Sequence, residues 1–254
     1  IAGGAKILLQ ALSVPRAVFV LEDYKKNAAR MLENATAEDG LFAVARLENR
    51  YPFDDRTIVS ALYAKELPRS RSAAESGYFI VGAEAAAALF EGMVDGMPPL
   101  RRYLTVCGAV QTPKNLCVPL GTSIQDVVSA CGGIAKGAQI IADSIFSGAP
   151  AEGAVTARTR MLAAVVSKQR IARSCIHCGR CAQVCPMRLL PYESLFRKGS
   201  PADLKNRTYC TDCRCCDYAC PAGIAVSEAI LHGHATAGAA PGAEEAAPKT
   251  LFRA

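Results

Sequence analysis

The sequence predicts a three-part chain: an α/β domain with a partial parallel sheet, then a small ββαβ module, then an α-helical cysteine-rich domain. Three observations predict it. Over residues 1–97 short apolar runs alternate with amphipathic stretches, the pattern of βα units around a parallel sheet. Pro98-Pro99 breaks that alternation, and two strand-like stretches, a helix and a third apolar run follow by residue 147. Finally, residues 174–221 carry two copies of one cysteine spacing.

Each element has a local reason. Gly4 to Leu12 spaces Ile7, Leu8 and Leu12 helically, and Ala17 to Leu21 is an apolar run of the kind buried in parallel sheets. Asp23 to Ala35 reads as an amphipathic helix capped by Asp23. Leu41 to Leu47 reads as a strand, and a helix from Asp54 has acids in its first turn. Gly77 to Val81 reads as a strand before the alanine-rich helix from Glu84 to Met93. In the second part, Arg102 to Val110 is predicted as a strand bent at Gly108, and Leu116 to Leu120 as its hairpin partner. Thr122 is the expected cap of a helix over 123–130 that stops at Gly132-Gly133, and Gln139 to Ala142 is the third strand. A ββαβ unit of this size resembles a β-grasp module. Residues 148–173 read as a linker and a basic helix. Leu189 to Arg197, Pro201 to Asn206 and Ile224 to His232 read as helical segments of the last domain.

Composition narrows the function. The apolar stretches are too short or too interrupted to cross a bilayer, and the opening, broken by Lys6, Gln10, Pro15 and Arg16, is neither a signal peptide nor a span. The net charge of +6 is uneven: residues 151–220 hold twelve Lys/Arg against five Asp/Glu, a net of +7, whereas residues 1–150 hold fifteen of each. The positive charge therefore surrounds the cysteine segment, where it offsets anionic centres or steers an acidic partner. No nucleic-acid motif accompanies it. Neither a G-x-G-x-x-G nor a P-loop is present, and Gly132 to Gly137 reads as a turn. The chain opens on Ile1 at a helix start rather than on Met, so we expect a fragment that lacks its true N-terminus.

The twelve cysteines have metal-type spacing, which indicates a reducing compartment. Cys175, Cys178, Cys181 and Cys185, and again Cys210, Cys213, Cys216 and Cys220, each form C-x2-C-x2-C-x3-C-P. This spacing holds [4Fe–4S] clusters, with three cysteines on one cluster and the fourth on the other. The expected ligand sets are Cys175, Cys178, Cys181 and Cys220 for cluster 1, and Cys210, Cys213, Cys216 and Cys185 for cluster 2. Structural zinc is the competing metal. Cys107, Cys117 and Cys131 are expected as small core residues, and Cys215 as a second-choice ligand behind Cys216. The His232 and His234 pair is read as the frayed end of a helix rather than a metal site.

The cysteine segment, with Gly179-Arg180 between ligands, Met187 after Cys-Pro, and Leu189-Leu190-Pro191, closely resembles the RnfC component of the Rnf electron-transport complex. The stretch around Thr105 to Gly108, Pro113, Gly121-Thr122 and Cys131 to Gly133 resembles that family's soluble-ligand-binding (SLBB) β-grasp domain. Phe19 to Asp23, Tyr51-Pro52 and the helix after Val81 resemble the back half of its flavin/NADH domain, shared with the flavin subunit of respiratory complex I. The resemblance covers residues 1–230 and is most specific over 175–221.

It implies 1–97 as the C-terminal part of a flavin/NADH-type domain, 98–147 as the SLBB-like module and 174–234 as a two-[4Fe–4S] ferredoxin-type domain; residues 235–254, dominated by Ala, Gly, Pro and Glu, read from composition as a disordered tail. It implies an electron-transfer subunit of an NADH:ferredoxin-type, ion-translocating oxidoreductase, relaying electrons between NAD(H), flavin and ferredoxin-linked partners. The implied partners are other subunits of a membrane complex and ferredoxin, and the implied location is the cytoplasmic face of the cell membrane, peripheral and not spanning. FMN and NADH are expected only with a segment preceding Ile1, to whose dinucleotide site Glu22 and Asp23 would contribute. The sequence departs from the family at Val81 to Glu84, at Tyr24 and at Arg214, which argues against flavin binding by this chain alone. Two readings stay open beside it: a cobalamin-reductase-like adaptor of microcompartments, and a non-redox scaffold stabilised by zinc or clusters.

Overall fold

The computed structural model describes residues 1–166 and 171–232, in two compact units, 1–99 and one from Leu100 onward. The tail expected at 235–254 and part of the expected basic helix lie outside the described residues.

The first unit holds α1 (Ala2–Ala11), β1 (Ala17–Glu22), α2 (Lys26–Thr36), β2 (Phe42–Leu47), α3 (Asp55–Tyr63) and α4 (Ala83–Val94). Strands β1 and β2 pair in parallel, from Ala17 opposite Phe42 to Glu22 opposite Leu47. Helix α1 lies so close to α4 that a Cβ on Gly4 would sit 1.7 Å from the Ala86 carbonyl oxygen. Glycine inside a helix costs about 1 kcal/mol, and this close crossing is what it permits. Asp54 accepts from the Thr57 N–H at 2.9 Å while its own N–H donates to the Thr57 hydroxyl, a capping box for α3.

Two local expectations are corrected here. Helix α2 begins at Lys26, because Lys25 N–H closes a turn onto the Glu22 carbonyl, and Asp23 therefore caps nothing. Residues 77–81 form no strand among the described residues. Tyr78 and Ile80 instead pack on Val59, Leu67 and Ala73, and the Tyr78 N–H donates to the Ala73 carbonyl in a local turn.

The second unit opens with β3 (Arg101–Gly108), β4 (Lys114–Pro119), α5 (Ile124–Ser129), β5 (Ala138–Ala142) and β6 (Met161–Val166). They form one mixed sheet in the order β4-β3-β6-β5, with β6 parallel to β3 and antiparallel to β5. Strand β6 lies in the stretch read as linker and basic helix. Its run of Leu162, Ala163, Ala164 and Val165 is buried on both faces, so no hydrophobic alternation marks it as a strand, and alanine by itself favours helix. Asp143 anchors its start, accepting from the Arg160 N–H at 2.7 Å. Gly108 (φ +82°) lets β3 approach β6, because a Cβ there would meet the Ala164 oxygen at 2.2 Å. Helix α5 is capped by Ser123, whose hydroxyl accepts from the Gln125 N–H. The Thr122 hydroxyl donates to the Pro119 carbonyl, which displaces it from the expected capping role. The core joins Leu104, Val106, Ile124, Val127, Cys131 and Leu162. Cys131 lies in that core as expected, whereas Cys107 is half-buried and Cys117 is exposed.

The remainder is short helices: α6 (Arg180–Gln183), α7 (Glu193–Phe196), α8 (Pro201–Tyr209), α9 (Cys215–Ala219) and α10 (Val226–His232). Ser200 caps α8, with Pro201 in its first turn. The Phe146 and Tyr218 rings, 4.7 Å apart, join the sheet module to α9. No helix among the described residues is long and apolar enough to cross a membrane.

Candidate metal centres

The two cysteine loops are conformational copies. His177 and Asp212, at equivalent positions, adopt left-handed backbone at φ 53° and 56°. Gly179 and Arg214, two residues further on, do so at 73° and 57°. The N–H of His177 donates to Cys175 Sγ at 3.4 Å, and that of Asp212 to Cys210 Sγ at 3.4 Å. Left-handed residues placed this way turn successive N–H groups inward, a concavity that suits an anionic cluster. Helices α6 and α9 leave the two loops and pack against each other. Each helix carries its motif's fourth cysteine away from its own loop.

Cys175, Cys178, Cys181 and Cys220 line one cavity of about 290 Å³, closed by Leu195 and Val226. Cys220, from the second motif, thus joins three thiols of the first. Cys185, from the first motif, lies within electrostatic reach of Cys213 and Cys216, and Cys216 within reach of Cys210. Met187, Leu189 and Ile230 pack around Cys185 and Cys210. The structure therefore brings together both expected sets of four.

The donor chemistry fits a cluster. Burial pushes the Cys181 thiol up, against N–H bonds from Tyr192 and Ala182. Burial likewise raises Cys185, against N–H bonds from Leu189 and Met187, and raises Cys216 further beside the Asp217 carboxylate. Crowded thiolates repel, so without a cation these groups hold their protons, and a metal core would displace them. Among the described residues no three Cys, His, Asp or Glu side chains converge as a single ion requires. Four thiols around one cavity make a donor set that a cluster or a zinc ion would take.

Cys215 is buried in the second set, and its thiol is pushed up chiefly by donating to Cys213. The regular spacing alone ranked Cys216 above it, and only the fold showed its contact with Cys213. Spacing also gave no sign of buried Asp217, which accepts from the Ser227 N–H at 2.7 Å and from the Ser227 hydroxyl. His177 stacks on Phe196 with ring centroids 4.8 Å apart, and His232 lies 3.5 Å from Glu228. In the first unit Glu22 pairs with Lys25 at 2.8 Å, and the Asp23 N–H donates to the Leu47 carbonyl. Both residues thus have local structural roles at the end of β1.

Comparison with known proteins agrees with this layout. Residues 1–91 match the Nuo51 FMN-binding domain, 103–143 the SLBB domain, and 174–224 a 4Fe-4S dicluster domain. A second 4Fe-4S dicluster domain matches 144–190, a span that includes β6 and only the first cysteine motif. The chain is 28% identical over 201 residues to the C component of the Na(+)-translocating ferredoxin:NAD(+) oxidoreductase complex of Acetobacterium woodii, covering 74% of this chain and 44% of that protein. It is 29% identical over 220 residues to the C component of the ion-translocating oxidoreductase complex of Methanosarcina acetivorans, covering 74% and 49%. For the C component of the proton-translocating ferredoxin:NAD(+) oxidoreductase complex of Clostridium ljungdahlii, the identity is 27% over 204 residues, covering 75% and 44%. The chain spans less than half the length of these relatives. With a Nuo51-type domain, an SLBB domain and a 4Fe-4S dicluster domain in this order, and with these relatives, the chain is RnfC-like in sequence and in domain order.

Proposed function

We propose that the chain is an electron-transfer iron–sulfur subunit of an Rnf-type complex, relaying single electrons between an NAD(H)- or flavin-linked donor and ferredoxin-linked membrane partners. One observation carries the reading: two loops of matching left-handed conformation each draw the other motif's fourth cysteine into their own set of thiols. Cys175, Cys178, Cys181 and Cys220 hold one [4Fe–4S] cluster; Cys185, Cys210, Cys213 and Cys216 hold the other. A cluster exchanges electrons one at a time without making or breaking bonds to substrate. The chain's own residues position the two centres side by side, partly bury their sulfurs and donate N–H bonds to them. The first domain is 1–97, the second runs from 98 to 166 because β6 completes its sheet, and the electron-carrying part, 174–234, comes last. The chain acts on the cytoplasmic face of a membrane complex as a peripheral subunit. FMN and NADH bind only where a further segment completes the first domain, with Glu22 and Asp23 at its edge.

Anaerobic reconstitution with iron and sulfide tests this. The expected result is about eight irons per chain and a brown chromophore bleached by dithionite. Fewer than about six irons, or a colourless zinc protein, would refute it.

A further inference from the structure

We propose that the residues around the two thiol sets separate their reduction potentials, so that the first set (Cys175, Cys178, Cys181, Cys220) binds an added electron more firmly than the second. The inference rests on the cluster reading above and gives it a direction: electrons entering at the second site settle at the first.

Because the loops are copies, their differences can be compared position by position. Where the first loop has Ile176, His177 and Ala182, the second has Thr211, Asp212 and Asp217. Asp217 is buried directly after the ligand Cys216 and held there by two bonds from Ser227. Asp212 and Glu228 flank Arg214 at 3.4 and 3.5 Å, so one guanidinium faces two carboxylates while Asp217 adds a third. The cavity of the first site is lined by no acidic residue, and Arg173 and Arg180 bracket its loop.

Exposure acts in the same direction. Ile176, His177 and Cys178 are exposed, whereas Cys210, Cys215 and Cys216 are buried. Reduction adds one negative charge to a cluster. Solvent and nearby cations favour that charge; burial and nearby carboxylates oppose it. N–H donors reach Cys175 and Cys181 in the first set and Cys210 and Cys185 in the second. The Thr211 hydroxyl, buried with no partner, and the Cys215 thiol favour reduction of the second site, but as neutral dipoles against full charges.

The transfer is one electron from the reduced second site, which is thereby oxidised, to the oxidised first site, with no proton or bond exchanged. The electron is supplied by a one-electron donor such as a reduced flavin. The exposed loop at Ile176 to Cys178 then serves as the exit edge, toward a one-electron acceptor.

Potentiometric titration of the reconstituted full chain, followed by low-temperature EPR and visible bleaching, tests the order. We expect two one-electron waves differing at least tenfold in equilibrium constant, about 59 mV for one electron. Cys178→Ser should perturb the upper wave and Cys213→Ser the lower. Asp217→Asn and, should that variant fail to fold, Asp212→Asn should raise the lower wave and leave the upper in place. A single unresolved wave, the reverse order, or no response in whichever Asp variant folds would overturn the proposal. An iron content below six would instead remove the cluster reading itself, and this inference with it.

Discussion

The carboxylate of Asp217 accepts both the backbone N–H and the hydroxyl of Ser227, tying α9 to the start of α10 inside the second thiol set. Replacing Ser227 with Ala leaves one buried carboxylate oxygen without that donor. The expected loss is about 1–3 kcal/mol, read as a lower denaturation midpoint. An unchanged midpoint would show that the hydroxyl bond contributes nothing net.

Asp203 gives a pH dependence. Burial opposes its charge, but the Gly199 N–H at 2.8 Å and Arg207 at 3.0 Å outweigh it and hold its pKa below the usual aspartate value. An acid depressed in the folded state stabilises the fold above its unfolded pKa, about 3.9, and loses that contribution as pH falls through the folded value. Asp203→Asn should therefore be less stable than the parent at pH 7. The difference should close as the pH drops below about 4, and a gap independent of pH would count against this account.

Leu162 on β6 is fully buried between the sheet and α5. Leu162→Ala should cost about 2–5 kcal/mol in thermal or urea unfolding. Gly108→Ala should destabilise the same sheet, because its Cβ meets the Ala164 oxygen and its backbone is left-handed. If residues 161–166 were instead a solvated linker, both variants would be silent.

The Phe146 and Tyr218 rings join the sheet module to the cysteine-rich helices. A double-mutant cycle with both alanine variants should return a coupling of about 0.5–1.5 kcal/mol. A coupling of zero would mean that the two parts of this unit do not stabilise each other through the pair.

Among the cysteines, Cys117 is exposed on β4 and Cys178 is exposed at a thiol set. After reconstitution Cys117→Ser should keep the full iron complement, whereas Cys178→Ser should lose about half of it. Equal iron in the two variants would contradict the ligand assignment.

Chain-local spacing was enough for the cysteine motifs, the Pro201 helix start and the strands read at 17–21 and 41–47. Each depends on residues within a few positions of one another, where loop geometry and periodicity act directly. The same reasoning failed where a distant partner decided the outcome. Met161–Val166 is a strand because β3 and β5 pair with both its edges. Residues 77–81 have strand-like side chains but, among the described residues, no strand to pair with; their N–H groups at 77 and 78 turn back onto Ala74 and Ala73. Lys25 and Glu22 close a turn that moves the start of α2 past Asp23. The cysteine spacing named eight thiols and their expected partition. It carried no information on the burial of Asp217, the Arg214 pairs with Asp212 and Glu228, or the exposure of Cys178. Those depend on how α6, α9 and α10 pack, and packing joins residues that local spacing leaves independent.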